Sequence, residues 1–250
     1  MAFDSAPRPG APPPMLPLRV DELCFGLNGH ALLKQISLQI EAGGPTVILG
    51  PNGAGKTLLL KLCHGLLQPS SGTLHWASAT PLATRRRQAL MFQRPVLLRR
   101  TVAENIEYVL QLQEYPRRSQ ARRVLELLAQ TGLEALASRP ARVLSGGEQQ
   151  RLALARLWAL TPEVMLLDEP TANLDPSATR AIELLIREIS AAGTKIILST
   201  HDLTQAQRLA SDVVFLHRGR LIERSTADKF FATPATAEAA AFIRGELLWH

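Results

Sequence analysis

The sequence predicts an α/β fold with a mostly parallel sheet, an antiparallel β subdomain near its start and an inserted helical lobe in its middle. Three observations predict it. Apolar runs without alternation at 46–49 and 164–167 read as strands buried on both faces, and two more strands follow at 195–199 and 213–217, with helical segments at 177–191 and 203–210 between the later ones. Period-two alternation at 18–25 and 36–40, around Gly26, Asn28 and Gly29, reads as a hairpin-like pair. From Thr101 to Leu136 apolar residues recur at helical spacing, as in Val124, Leu127, Leu128 and Leu133, with Pro116 and Gly132 as breakers, which gives three or so helices. A further helix opens at Gly146-Gly147 and runs through Leu160.

The 250 residues suffice for one compact domain carrying such a lobe. With 46% hydrophobic residues, and 28 Lys and Arg against 22 Asp and Glu, the chain is not disordered throughout. Cys24 and Cys63 are too few for a disulfide framework and lack metal-site spacing, so they read as reduced thiols in a cytosolic protein. Met1 to Pro17 holds six of the 17 prolines and no apolar signal-peptide core, and is expected to be a disordered leader at 1–17. The longest stretch free of Lys, Arg, Asp and Glu, 62–84, is interrupted by Gln68-Pro69-Ser70-Ser71-Gly72, so it is no membrane span of ~20 apolar residues.

Gly50, Pro51, Asn52, Gly53, Ala54, Gly55, Lys56 and Thr57 fit G-x-x-x-x-G-K-[ST] between a buried strand and a helical pattern, where the mechanism of that loop requires it. Glycines let the loop wrap a phosphate, backbone N–H groups point inward, and the helix N-terminus adds positive potential. Lys56 is then the residue that bridges the β- and γ-phosphates of ATP, and Thr57 the hydroxyl that holds Mg²⁺. The strand at 164–167 runs into Asp168 and Glu169. An aspartate at the carboxyl end of a parallel strand points into the ligand crevice, which places Asp168 near the metal and offers Glu169 as a base for the attacking water.

A third element, Leu144-Ser145-Gly146-Gly147-Glu148-Gln149-Gln150, lies shortly before this strand. Here the sequence resembles the ATP-binding subunits of ABC transporters, whose signature is LSGGQ-like. The resemblance runs from about Leu18 to Gly219 and implies a P-loop NTPase (RecA-like) core, an ABC nucleotide-binding domain at 18–225 with its helical lobe at about 94–160, and a short helical tail at 226–250. It implies that Ser145, Gly146, Gly147, Glu148 and Gln149 touch the ATP held by the P-loop of a second copy, in a head-to-tail dimer. Gln93 matches the glutamine that touches Mg²⁺ and the water, Asn173-Leu174-Asp175 the loop at the dimer seam, and His201 the histidine that contacts the γ-phosphate. Where the family usually places an aromatic residue on adenine this chain has Leu27, with Phe25 two residues earlier as the other candidate.

The resemblance further implies an ATPase that drives transport through a separate integral-membrane permease, on the cytoplasmic face of the cell membrane, with a substrate-binding protein as an indirect partner and no nucleic acid. The Phe92 to Val102 stretch and the Phe242 to Trp249 tail look like bacterial oxyanion importers, closest to the tungstate type, with molybdate and phosphate as neighbours. The competing classes are the ATPase of an exporter and a soluble ABC ATPase acting in translation or DNA repair; the latter generally carries two cassettes or a long coiled-coil insertion. Between Arg85 and Arg142 there are 12 arginines and five glutamates, so this segment outweighs the net +6 of the whole chain. The block is expected in the helical lobe and its hinge, as a solvated face or a surface for a partner or lipid.

Overall fold

A computed structural model of the chain describes residues 13–77 and 81–246, apart from the side chains at 81–83. Residues 1–12 of the expected leader and 247–250 of the expected tail lie outside the described residues. Strands β1 (Leu18–Leu27) and β2 (His30–Ile40) form an antiparallel hairpin in which Leu27 pairs with His30. Asn28 and Gly29, at φ 51° and 79°, form its two-residue turn, the geometry that matches the twist of the flanking strands. Pairing therefore runs through Gly26, which the sequence reading had placed in the turn, and the second strand starts six residues before the expected 36.

The main sheet contains β3 (Thr46–Leu49), β5 (Gln88–Met91), β6 (Val164–Asp168), β7 (Lys195–Thr200), β8 (Asp212–His217) and β9 (Arg220–Thr226) in the order β5-β6-β7-β3-β8-β9. Its first five members are parallel and β9 closes the edge antiparallel to β8. A smaller antiparallel sheet has the order β2-β1-β4, with β4 at Ser71–Trp76. Three of these strands, β4, β5 and β9, were not read from the sequence. Each is short or half-exposed, and none shows a clean apolar alternation.

Alternation along the central strands splits the apolar residues between two cores. Val164 and Leu166 of β6, Ile48 of β3 and Ile197 of β7 face one side, where α1 (Lys56–His64) lies between the two sheets and adds Leu59, Leu60, Leu62 and Cys63. Met165, Leu167, Val47, Leu49, Ile196 and Leu198 face the other side. There they meet the lobe helices α3 (Val102–Leu112), α4 (Arg117–Thr131) and α5 (Gly146–Ala159), together with α6 (Pro176–Ala191) and α7 (Leu203–Leu209). A short α2 (Pro81–Arg86) leads into β5. The closing helices α8 (Ala227–Ala232) and α9 (Ala237–Ile243) bring Phe230 and Phe242 against Phe215, with ring centroids 5.8 and 5.0 Å apart. Both cysteines are free thiols, and among the described residues no helix is long and apolar enough to cross a membrane.

The basic block does not form one surface. Arg85 donates to the Gly65 carbonyl beyond α1, Arg87 pairs with Glu163 ahead of β6, and Arg122 and Arg123 pair with Glu126 along α4. Arg99, Arg100 and Arg142 line a cavity of about 410 Å³ at the start of α3. All of these were expected in the lobe and its hinge, but the chain enters the lobe only after β5, so Arg85, Arg86 and Arg87 precede it.

Helices α6 and α7 follow the two loops that reach the ligand side of the sheet, and an ion pair between a buried carboxylate and a partly exposed arginine ties them together. Glu183 of α6 is fully buried and accepts from Nε and Nη2 of Arg208 of α7 at 2.7 and 2.6 Å. Removing Arg208 leaves that carboxylate without its bidentate partner. Because Arg208 is partly exposed and Arg180 still lies 3.8 Å from Glu183, the expected cost of Arg208→Met is about 1–3 kcal/mol in urea unfolding, most of it recovered when Glu183→Leu is added. A loss below about 1 kcal/mol in the single variant contradicts this account of the pair.

Candidate functional site

Strand β3 ends at Leu49, and the chain turns at once into α1. Gly50 has to lack a side chain, because a Cβ there would lie 2.2 Å from the Leu216 carbonyl oxygen of the adjacent β8. The loop then turns through positive φ at Gly53 and Gly55, and α1 starts at Lys56 with no side-chain cap and no acidic residue in its first turn. Its first N–H groups are therefore left for an outside acceptor, and the helix dipole favours an anion there.

Lys56 is 5% exposed. Its Nζ donates to the carbonyls of Gly50 (2.8 Å) and Pro51 (3.1 Å) and lies 3.3 Å from Oε1 of Glu169. Burial lowers its pKa below the usual lysine value, opposed by the Glu169 charge. A buried cation with one carboxylate partner, beside an uncapped helix N-terminus, fits a phosphate chain.

Thr57 Oγ1 donates to Asp168, 2.8 Å from Oδ1 and 2.9 Å from Oδ2. The described residues contain no cluster of three or more His, Cys, Asp or Glu able to hold a metal. One hydroxyl and one carboxylate fit Mg²⁺ nonetheless, because that ion keeps waters and is usually completed by substrate phosphates. Glu169 follows directly, at φ 44°, with His201 Nδ1 3.2 Å from its Oε1 and the Gln93 amide 3.4 Å from its Oε2. These groups surround one cleft of about 740 Å³, which Asn52 to Leu58, Gln93, Glu169, Asn173 and His201 help to line.

A family profile described as ABC transporter matches residues 33–172. The chain belongs to the ABC transporter family. The phosphate import ATP-binding protein PstB 2 of Natronomonas pharaonis is 36% identical to it over 93% of this chain and 88% of its own length. The tungstate uptake system ATP-binding protein TupC of Peptoclostridium acidaminophilum is 40% identical over 86% of this chain and 99% of its own length. Other relatives are named for methionine import and cystine transport. Among solved structures, cbiO1 from Clostridium perfringens, part of the ABC transporter complex cbiONQ, superposes with a TM-score of 0.79 at 31% identity, over 86% of this chain and 90% of that one. Members of the family bind ATP with Mg²⁺ and hydrolyse it to drive transport, and this chain is the ATPase subunit of an ABC importer.

The signature of this ABC ATPase lies outside the cleft. Ser145 caps α5 in a reciprocal box: its Oγ accepts from the Glu148 N–H at 3.4 Å, while the Glu148 carboxylate accepts from the Ser145 N–H at 2.7 Å and its hydroxyl at 2.8 Å. Those bonds hold the Glu148 carboxyl below its ordinary pKa. Gln149 donates to the Leu144 carbonyl, and Gly147 has to be a glycine because its Cβ would lie 2.7 Å from that of Ala178 on α6. Asp175 likewise caps α6, accepting from the Ala178 N–H at 2.9 Å, while its neighbours Asn173 and Leu174 reach the cleft. At the end of β1, Phe25 packs against the core between the two sheets, whereas Leu27 stands 60% exposed.

The structure adds residues that motif reading passed over. Thr171, Thr200 and Asp202 line the cleft, and Ser199 bridges Asp168 and Glu169 from beneath. Ser199 carried one signal, a hydroxyl that follows the apolar run Ile196-Ile197-Leu198. Only the register of β7 against β6 places it opposite Asp168.

Proposed function

We propose that two copies of this chain pair head to tail, each ATP lying between the cleft of one copy and the Ser145 to Gln149 signature of the other, and that the pair drives a separate integral-membrane permease from the cytoplasmic side. The observation that carries this is the division just described. One copy assembles Lys56, Thr57, Glu169, Gln93 and His201 around a cleft, with Asp168 bonded to Thr57, and its Ser145-capped α5 N-terminus takes no part in lining that cleft. A second copy supplies the missing wall, with Asp175 at the seam.

In this reading Gly50 to Thr57 cradle the phosphates. Lys56, which rests on Glu169 through a 3.3 Å contact, shifts its charge onto the β- and γ-phosphates and releases the carboxylate. Glu169 then takes a proton from the attacking water, oriented by Gln93 and His201 at its two oxygens. Thr57, Asp168 and Gln93 hold Mg²⁺, whose charge offsets that developing on the phosphate oxygens. Leu27, exposed and apolar, offers the adenine an aliphatic contact without an aromatic ring, while Phe25 packs against the core.

For the permease, the lobe offers an apolar groove of about 350 Å³ beside Gln93, lined by Phe92, Pro95, Val96, Leu112 and Leu157 among others. Phe92, Val96 and Leu112 are 44%, 80% and 63% exposed, a concentration of apolar surface that suits a docked segment. Its continuity with the Gln93 loop gives the permease a lever on the catalytic glutamate. The cargo is an inorganic oxyanion such as tungstate, presented by a substrate-binding protein. The likeness of residues 92–102 to oxyanion importers and the names of PstB 2 and TupC support it.

Glu169→Gln keeps the side chain's shape and removes the base. We expect ATP affinity within about threefold of wild type, hydrolysis lowered at least ~100-fold, and an ATP-held dimer in size-exclusion chromatography. Wild-type turnover in that variant removes Glu169 from the role. Leu27→Tyr adds a ring where adenine is expected, and ATP binding by fluorescence titration is expected to tighten by about three- to tenfold. An unchanged dissociation constant places the adenine elsewhere.

A further inference from the structure

We propose that Ser199 is a positioning residue for this reaction: one buried hydroxyl sets both the Asp168 carboxylate that faces the metal and the backbone of Glu169 beside it. The proposal rests on the reading of Asp168 and Glu169 given above. Ser199 is fully buried on β7, in register with Asp168 of β6 on one side and with Ile48 of β3 on the other. Its Oγ donates to Asp168 Oδ1 at 2.7 Å and accepts from the Glu169 N–H at 3.0 Å. That N–H also reaches the Ser199 carbonyl at 3.2 Å.

Two features set this apart from the ordinary satisfaction of a buried hydroxyl. Glu169 sits at φ 44°, a backbone state that costs a residue with a Cβ roughly 1–2 kcal/mol and persists where neighbours fix it. Both acceptors that fix its N–H belong to Ser199. Asp168 Oδ1, meanwhile, accepts from Ser199 and from Thr57, whereas Oδ2 accepts from Thr57 alone. Ser199 thereby commits Oδ1 and leaves Oδ2 as the oxygen able to turn to a cation. Groups that orient a metal-side carboxylate in this way typically change metal affinity or activity by about 10–100-fold when removed.

The test compares Ser199→Ala with wild type in the full-length chain, using N-methylanthraniloyl-ATP as the fluorescent probe, titrated with Mg²⁺ and separately in EDTA. The expected result is a Mg²⁺ half-saturation raised about tenfold, probe affinity in EDTA within twofold of wild type, and a lowered kcat with little change in KM. Ser199→Thr, which keeps the hydroxyl, is expected to restore the Mg²⁺ response. If the alanine variant does not fold, Ser199→Cys keeps the volume with a weak donor and is expected to show the same Mg²⁺ shift. An unchanged Mg²⁺ response in a variant that folds, or equal losses with and without Mg²⁺, overturns the proposal while leaving the nucleotide site standing. A wild-type chain whose probe binding ignores both Mg²⁺ and Lys56→Met overturns the site reading itself, and this proposal with it.

Discussion

Burying an ammonium group at the end of a parallel strand costs several kcal/mol unless its surroundings return the lost solvation. The site of this protein is arranged around one such group. Lys56 receives two carbonyls from its own loop and one carboxylate from Glu169, and its pKa still lies below that of a free lysine because burial outweighs them. The same requirement explains the neighbours. Gly50 brings its carbonyl within reach only because it has no Cβ to meet β8, and Glu169 reaches across only because β7 holds its backbone in an uncommon state. A phosphate chain is the ligand that completes this set. It can meet the lysine and the uncapped N–H groups of α1 together, and in the proposed reaction its arrival frees the Glu169 carboxylate from Lys56.

The three-layer build serves that arrangement. Because β3, β6 and β7 are buried on both faces, their carboxyl ends are held rigidly in register, and the groups at those ends inherit that precision. Thr57, Asp168 and Ser199 come from three elements far apart in sequence, yet the Thr57 and Ser199 hydroxyls both donate to the Asp168 carboxylate within 2.9 Å. The lobe adds α5, whose capped N-terminus carries the signature against α6 but away from the cleft. In the proposed pairing, a single copy therefore carries half of each site.

Much of this was legible in the sequence. The loop from Gly50 to Thr57 and the Asp168-Glu169 strand end were legible from residue type and spacing, Gln93 and His201 from the family resemblance; Asn52 to Thr57, Gln93, Glu169 and His201 line one cleft, and Asp168 bonds Thr57 beside it. The doubly buried strands were legible for the same physical reason that makes them useful: a strand covered on both faces must be apolar throughout. What escaped was whatever depends on neighbours rather than on local pattern. The strands at 71–76, 88–91 and 220–226 are stabilised by the sheets they join. Ser199 acquires its role from a register, and Phe25 packs against the core while Leu27, two residues on, lies exposed beside the hairpin turn. The arginine-rich stretch misled for the converse reason, since contiguity in sequence suggested one surface and the turn into β5 divides it.

The central claim is that each copy holds half of a composite site, and the most direct measurement is ATPase activity per chain as protein concentration is varied at saturating Mg²⁺ and ATP. The account predicts that specific activity falls as the chain is diluted and rises to a plateau at high concentration, following the formation of the pair. A specific activity independent of concentration, in a chain that sedimentation shows to remain monomeric, would contradict it.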